Sequence, residues 1–131
     1  MGQIDMNPDL LFFFGGHLDA LPIYKHLEHQ VLTQIPDVKI KVQKTQITFS
    51  NKRGFAFVSF LPVRKAKIRP KTFITVTFGH HQRIESPRIS AATEPYPNRW
   101  THHLLVSNEK EIDDELLGWI REAAEFSASK R

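Results

Sequence analysis

Residues 55–60 read Phe-Ala-Phe-Val-Ser-Phe, between a turn cluster at Asn51–Gly54 and a proline at position 62. Successive side chains of an extended strand point to opposite faces, so Phe55 and Phe57 fall on one side and Ala56, Val58 and Phe60 on the other. A strand that is apolar on both sides needs cover on both sides, which makes it a central strand of a sheet. Pro62 and Pro70 then rule out a helix across the next segment, because proline lacks the donor and its ring clashes inside a helix. The strand must therefore lead to another strand. Helices on one face and the 79–98 stretch on the other would supply the cover. Alternatively, a second copy of the chain would supply it, giving a homodimer.

The rest of the chain is arranged around that strand. Apolar residues at Leu18, Leu21, Tyr24, Leu27, Leu32 and Ile35 recur near 3.6 and predict a helix over 18–34, with Asp19 as its cap and Pro36 as its stop. Val38, Ile40 and Val42 alternate with lysines, and residues 45–50 and 55–61 predict a hairpin about the Asn51–Gly54 turn. Residues 72–78 and 99–106 read as further strands, and 79–98, rich in His, Pro and Ser, as irregular chain. Asn108 followed by Glu111 resembles a capping box, and Ile112, Leu116, Trp119, Ile120 and Ala123 line one face of a helix over 109–125. The expected class is α+β: an antiparallel sheet of four to five strands with an N-terminal and a C-terminal helix, in a single domain. Residues 1–16 form a lead-in, 17–126 the domain, and 127–131 a tail. Phe55 or Phe57, with Phe49, Leu116 and Ile120, is expected in the core.

With 131 residues the chain can bury a core of its own. It has no cysteine, which excludes disulfides and thiolate chemistry and suits a reducing cytoplasm. No apolar run reaches the roughly 18 residues of a membrane span. The net charge of +4 is unevenly spread. Ten Lys and Arg and no carboxylate lie between Lys39 and Lys71, and seven carboxylates lie between Glu109 and Glu125. A basic centre of this kind either faces solvent along its strands and turns or attracts a polyanion.

Arg53 to Phe60 matches the signature octamer of the RNA-recognition motif at every position, and Leu10–Leu18 superficially supplies the upstream aromatic segment. That fold, however, needs a helix after the octamer, where the prolines stand. A different resemblance covers far more of the chain. Lys44–Phe49, Arg53–Val58, Ser86-Pro87-Arg88, Pro97–His103, Asp113–Leu116 and Trp119 with Arg121, Glu122 and Ala123 together resemble the bacterial domain-of-unknown-function family DUF5655, over roughly residues 17–126. The resemblance implies an α+β fold and a bacterial protein, and implies no activity. Glu122-Ala123-Ala124 departs from the Glu-Ala-Tyr triplet usual near the end of that family's helix.

Signs of catalysis are few. There is no G-x-S-x-G elbow, no Walker loop and no G-x-G-x-x-G. Asp113-Asp114 sit where a helix dipole favours anions, and no catalytic residue is singled out. The seven histidines (His17, His26, His29, His80, His81, His102 and His103) lack metal-site spacing, so no metal or cofactor is expected. Lys44, Gln46, Arg53, Arg88, Arg99 and His102 could converge on one basic polar pocket, where arginine would grip phosphate or carboxylate. The reading is a small cytoplasmic binding or accessory domain for an anionic ligand: nucleic acid, nucleotide or an acidic protein. The alternative is a homodimerising interaction module without a small ligand, and a further one an enzyme of unknown reaction. No membrane partner is expected.

Overall fold

The central strand, β3 (Gly54–Ser59), lies third in a six-stranded antiparallel sheet in the computed structural model, which describes residues 8–129. Residues 1–7 of the lead-in and 130–131 of the tail lie outside the described residues. The strands are β1 (Lys39–Val42), β2 (Ile47–Ser50), β3, β4 (Ile74–His80), β5 (Ala91–Tyr96) and β6 (Arg99–Val106), in the spatial order β1-β2-β3-β4-β6-β5. Three helices, α1 (Pro8–Phe13), α2 (Leu21–Gln34) and α3 (Asp114–Ser129), complete the α+β architecture.

Most of the expected elements are present, with shifted bounds. The helix expected over 18–34 opens with a 3-10 turn at Leu18–Ala20 before α2. Asp19 does not cap it; its carboxylate accepts a hydrogen bond from Thr72, and this lowers its pKa. Asn108 caps a 3-10 turn at Glu109–Glu111 rather than α3, its Oδ1 accepting from Lys110 N at 2.9 Å. Asp113 performs the capping of α3, accepting from Leu116 N at 3.0 Å. Between Pro62 and Pro70 there is one 3-10 turn, Ala66–Ile68, and β3 pairs directly with β4. The strand count is six, because the stretch expected to be irregular contains β5.

One face of the sheet carries the core. Ile47 and Phe49, Ala56 and Val58, Ile74, Val76 and Phe78, and His102, Leu104 and Val106 are cross-strand neighbours on it, all buried. Tyr24, Leu27 and Val31 of α2 and Leu116, Ile120 and Ala123 of α3 belong to the same core. α1 adds Leu10 and Phe13, followed by the fully buried Phe14.

Phe55 does not share a side with Phe57. A bulge opposite Phe49 and Ser50 breaks the alternation, so Phe55 and Ala56 are both buried while Phe57 is half-buried. Phe55 therefore joins Phe49, Leu116 and Ile120 in the core, and Phe57 stands on the opposite face beside Thr48. Gly54 gives the Phe57 ring its place, since a Cβ there would lie 3.0 Å from Phe57 Cζ and 3.3 Å from Thr48 Cγ2.

The cover also differs from expectation. The 84–89 stretch packs on the helix side, with Ile84 and Ile89 against the core. Part of the opposite face is crossed by the chain after β3. Thr75 Oγ1 donates to the Leu61 carbonyl at 2.7 Å, and Arg64 Nε donates to Ser90 Oγ at 2.9 Å.

Candidate functional site

The β1–β2 turn brings Lys44, Thr45 and Gln46 to one end of the sheet. There they line a groove of about 540 Å³ with Phe13, His17, Ser59, Phe60 and Leu61. The imidazole of His17 stacks on Phe60, with centroids 4.0 Å apart and an interplanar angle of 21°, and Phe60 in turn stacks on Phe13 at 5.2 Å. The lining contains no carboxylate. Gln46 Nε2 donates to Thr48 Oγ1 at 3.1 Å, which links the groove to the open face of the sheet. Lys44 is exposed and makes no ion pair among the described residues.

The other four basic candidates lie elsewhere. Arg53, in the β2–β3 turn, and Arg99, at the start of β6, stand at the opposite end of the strands. They border a gap of about 20 Å³ with Phe55, Gly79 and the Ala123, Phe126 and Ser127 side of α3. That gap holds nothing larger than a water. The turn is pinned there. Asn51 Nδ2 donates to the Ala124 carbonyl at 2.8 Å, and Ser127 Oγ donates to Asn51 Oδ1 at 2.7 Å.

Arg88 is engaged with the start of α3. Its Nη1 donates to Asp113 Oδ1 and Glu115 Oε1, each at 2.9 Å, and its Nη2 donates to the Glu111 carbonyl at 2.6 Å. Partial burial works against its charge, but the hydrogen bonds to Asp113 and Glu115 outweigh it and raise its pKa. The same contact lowers the pKa of Asp113 against the opposing effect of desolvation.

His102 is completely buried. Its ring stacks on Phe78 at 4.9 Å, and its Nε2 accepts from Ile84 N at 2.9 Å. The proton of the neutral ring is therefore on Nδ1, which has no hydrogen-bond partner of good geometry. Burial lowers its pKa, opposed by a backbone interaction with Phe78. Of the six residues, then, Lys44 and Gln46 share a groove, Arg53 and Arg99 share the far end, and Arg88 and His102 are built into the packing.

A second histidine cluster lies near the end of α3. His80 Nδ1 accepts from Gln82 N at 3.2 Å, which leaves the proton on Nε2 facing Glu122 Oε1 at 3.1 Å. His81 stacks on His80 with centroids 4.6 Å apart. Both imidazole nitrogens of His80 are thus engaged. Among the described residues no group of three or more His, Asp or Glu side chains is placed to hold a metal ion. No helix among them is long and apolar enough to cross a membrane.

Sequence reasoning missed His17, Phe13, Ser59 and Phe60 as groove residues. The aromatic run Phe12-Phe13-Phe14 was a visible signal, but only the fold of α1 against the end of β3 gives it that place.

The fold and groove define a small α+β domain with an open antiparallel sheet, its helices on one face. The chain belongs to the family described as Domain of unknown function (DUF5655), whose model matches residues 12–127. No curated protein and no solved structure matches it.

Proposed function

We propose that this domain is a binding module for an anionic ligand, taken in the groove beside the Lys44–Gln46 turn. The observation that carries the reading is the groove's lining. A lysine, an amide and two hydroxyls surround a stack of Phe13, Phe60 and His17, with no acidic side chain among them. Its volume of about 540 Å³ falls within the range of small-molecule sites, about 300–1,000 Å³. A ligand with a planar ring and a phosphate, such as a nucleotide, matches both halves: the ring on the outer face of the exposed His17, which ends the stack, and the phosphate on Lys44. Absence of cysteine suits a cytoplasmic setting for such a module.

The test is calorimetric titration of the protein with AMP and ATP at low salt, repeated on Lys44→Ala and His17→Ala. The wild type is expected to bind, Lys44→Ala to weaken binding of both, and His17→Ala to remove the preference for a nucleotide over inorganic phosphate. Failure of the wild type to bind either nucleotide sinks the reading.

A second reading, dimerisation through the sheet, has one observation in its favour: Phe57 is half-buried on a face that no helix covers. Sedimentation of the protein across a range of concentrations decides it.

A further inference from the structure

We propose that the open face of the sheet is a platform for single-stranded nucleic acid, with Phe57 as its stacking ring. This surface adjoins the groove through Gln46 and Thr48, but it stands on different residues, so it can hold or fail independently of the nucleotide reading.

One row of cross-strand neighbours spans the whole sheet: Lys41, Thr48, Phe57, Thr77, His103 and Ala91. The adjoining rows carry Lys39 beside Ser50, and Gly79 beside Thr101 and Thr93. These rows contain no Asp or Glu. Toward the Ser59 end, Thr75 and Leu105 are buried where Leu61 and Arg64 cross. Thr77, in the row between Phe57 and His103, is buried as well. The rows are accessible on either side of it. Thr48, Phe57, Thr101 and His103 are half-buried, and Lys39, Lys41 and Thr93 are exposed.

The chemistry of this face is that of a single-strand surface. An aromatic ring takes the face of any base, hydroxyls bond to sugars and phosphates, and cations track the backbone. Phe57 reaches toward Gly54 and Thr48, where the absent Gly54 side chain makes room for it. The Phe57 ring sits between the lysines of β1 on one side and His103 on the other, where Thr77 Oγ1 lies 2.8 Å from His103 Nδ1.

Charge decides between the two occupants such a face could take. A second copy of the chain would bring one cationic, carboxylate-free surface against another, and like charges facing each other oppose association. A polyanion meets no such cost and gains from released counterions. At the β1 edge Lys41 also borders a cleft holding Asp9 and Glu28, so Lys39 is the cleaner probe of phosphate contact.

The experiment is fluorescence anisotropy with labelled oligo-dT and oligo-U of about ten nucleotides, a length such surfaces accommodate. It is run at about 50 and 200 mM salt, where phosphate contacts separate clearly. The wild type is expected to bind with affinity falling steeply with salt. Phe57→Leu should weaken binding by about tenfold, the consequence of losing one base stack, while Phe57→Tyr keeps it. Lys39→Ala should flatten the log–log salt slope by about one unit, and it remains informative if Phe57→Leu proves unfolded. Oligo-dT and oligo-U arms distinguish DNA from RNA. The proposal is overturned by no binding at the lower salt. It is equally overturned by binding that responds to Lys44→Ala but to neither Phe57→Leu nor Lys39→Ala, which would put the strand in the groove alone. A dimer dispersed by Phe57→Leu, with no oligonucleotide bound, would assign the face to a second copy.

Discussion

The guanidinium carbon of Arg88 stands 5.8 Å from the centroid of the Trp119 ring. Trp119 stacks on Phe78 at 5.7 Å and 18°, and Phe78 stacks on His102 at 4.9 Å and 13°. Arg88 and His102 are therefore the two ends of one column that ties the 84–89 loop and α3 to the middle of the sheet. The cation is held over the indole by Asp113 and Glu115, so the cap of α3 and the end of the column share one side chain.

Removing Arg88 should therefore cost stability. Arg88→Ala gives up charged hydrogen bonds and the contact with Trp119, but its partners are partly solvated, so the expected loss is about 1–2 kcal/mol. Arg88→Lys should recover only part of it, since an ammonium cannot span Asp113, Glu115 and the Glu111 carbonyl together. Urea denaturation midpoints of the three proteins check this. An unchanged midpoint in Arg88→Ala would mean the column does not depend on its cation.

The bulge in β3 makes opposite predictions for two phenylalanines two residues apart. Phe55→Ala opens a cavity in the core and is expected to cost about 3–5 kcal/mol. Phe57→Ala leaves a half-exposed position and should cost markedly less. Equal losses in thermal or urea unfolding would contradict the bulge and return Phe55 to the face of Phe57.

Asn51 holds the β2–β3 turn to α3 through the Ala124 carbonyl and Ser127 Oγ. Asn51→Ala removes the side-chain donor to the Ala124 carbonyl and one of the partners of the Ser127 hydroxyl, which keeps its bonds to the Arg53 backbone, and about 1 kcal/mol should be lost. A double-mutant cycle with Ser127→Ala should show coupling, because the two side chains share one network. Strict additivity would show that they act separately.

His102 and His103 both have lowered pKa values, in each case chiefly because burial disfavours the charged ring. For His102, the positive ends of His80, His103 and Arg83 push the same way. The unfolded chain then binds more protons than the folded one between the depressed values and the ordinary 6.5. Stability is fully present above that ordinary value and falls as pH drops below it, by up to about 1.4 kcal/mol per pH unit for each histidine. Unfolding free energies measured from pH 7.5 downward should show the fall, and His102→Gln should reduce its slope. Stability that rises on acidification over this range would reverse the assignment.

Residue pattern alone determined the kinds of element and much of their order. Alternation at 38–42, 45–50 and 72–78, the prolines at 62 and 70, and the 3.6 period of Leu116, Ile120 and Ala123 are local signals, because burial on one face is written into neighbouring residues. β5 was hidden for the same reason. Ala91–Tyr96 is an edge strand, largely exposed and interrupted by Pro95, so it carries no alternation to read. The placing of β6 between β4 and β5, which buries His102, depends on pairings far apart in sequence. The basic residues followed that geometry. Lys44 and Gln46 share a turn and stayed together. Arg53 and Arg99 went to the other end of the strands, and Arg88 was claimed by carboxylates twenty-five and twenty-seven residues away. Charge along a chain shows how much is present, whereas its convergence on a site is set by strand order and register, and those are fixed only when the whole sheet closes over its core.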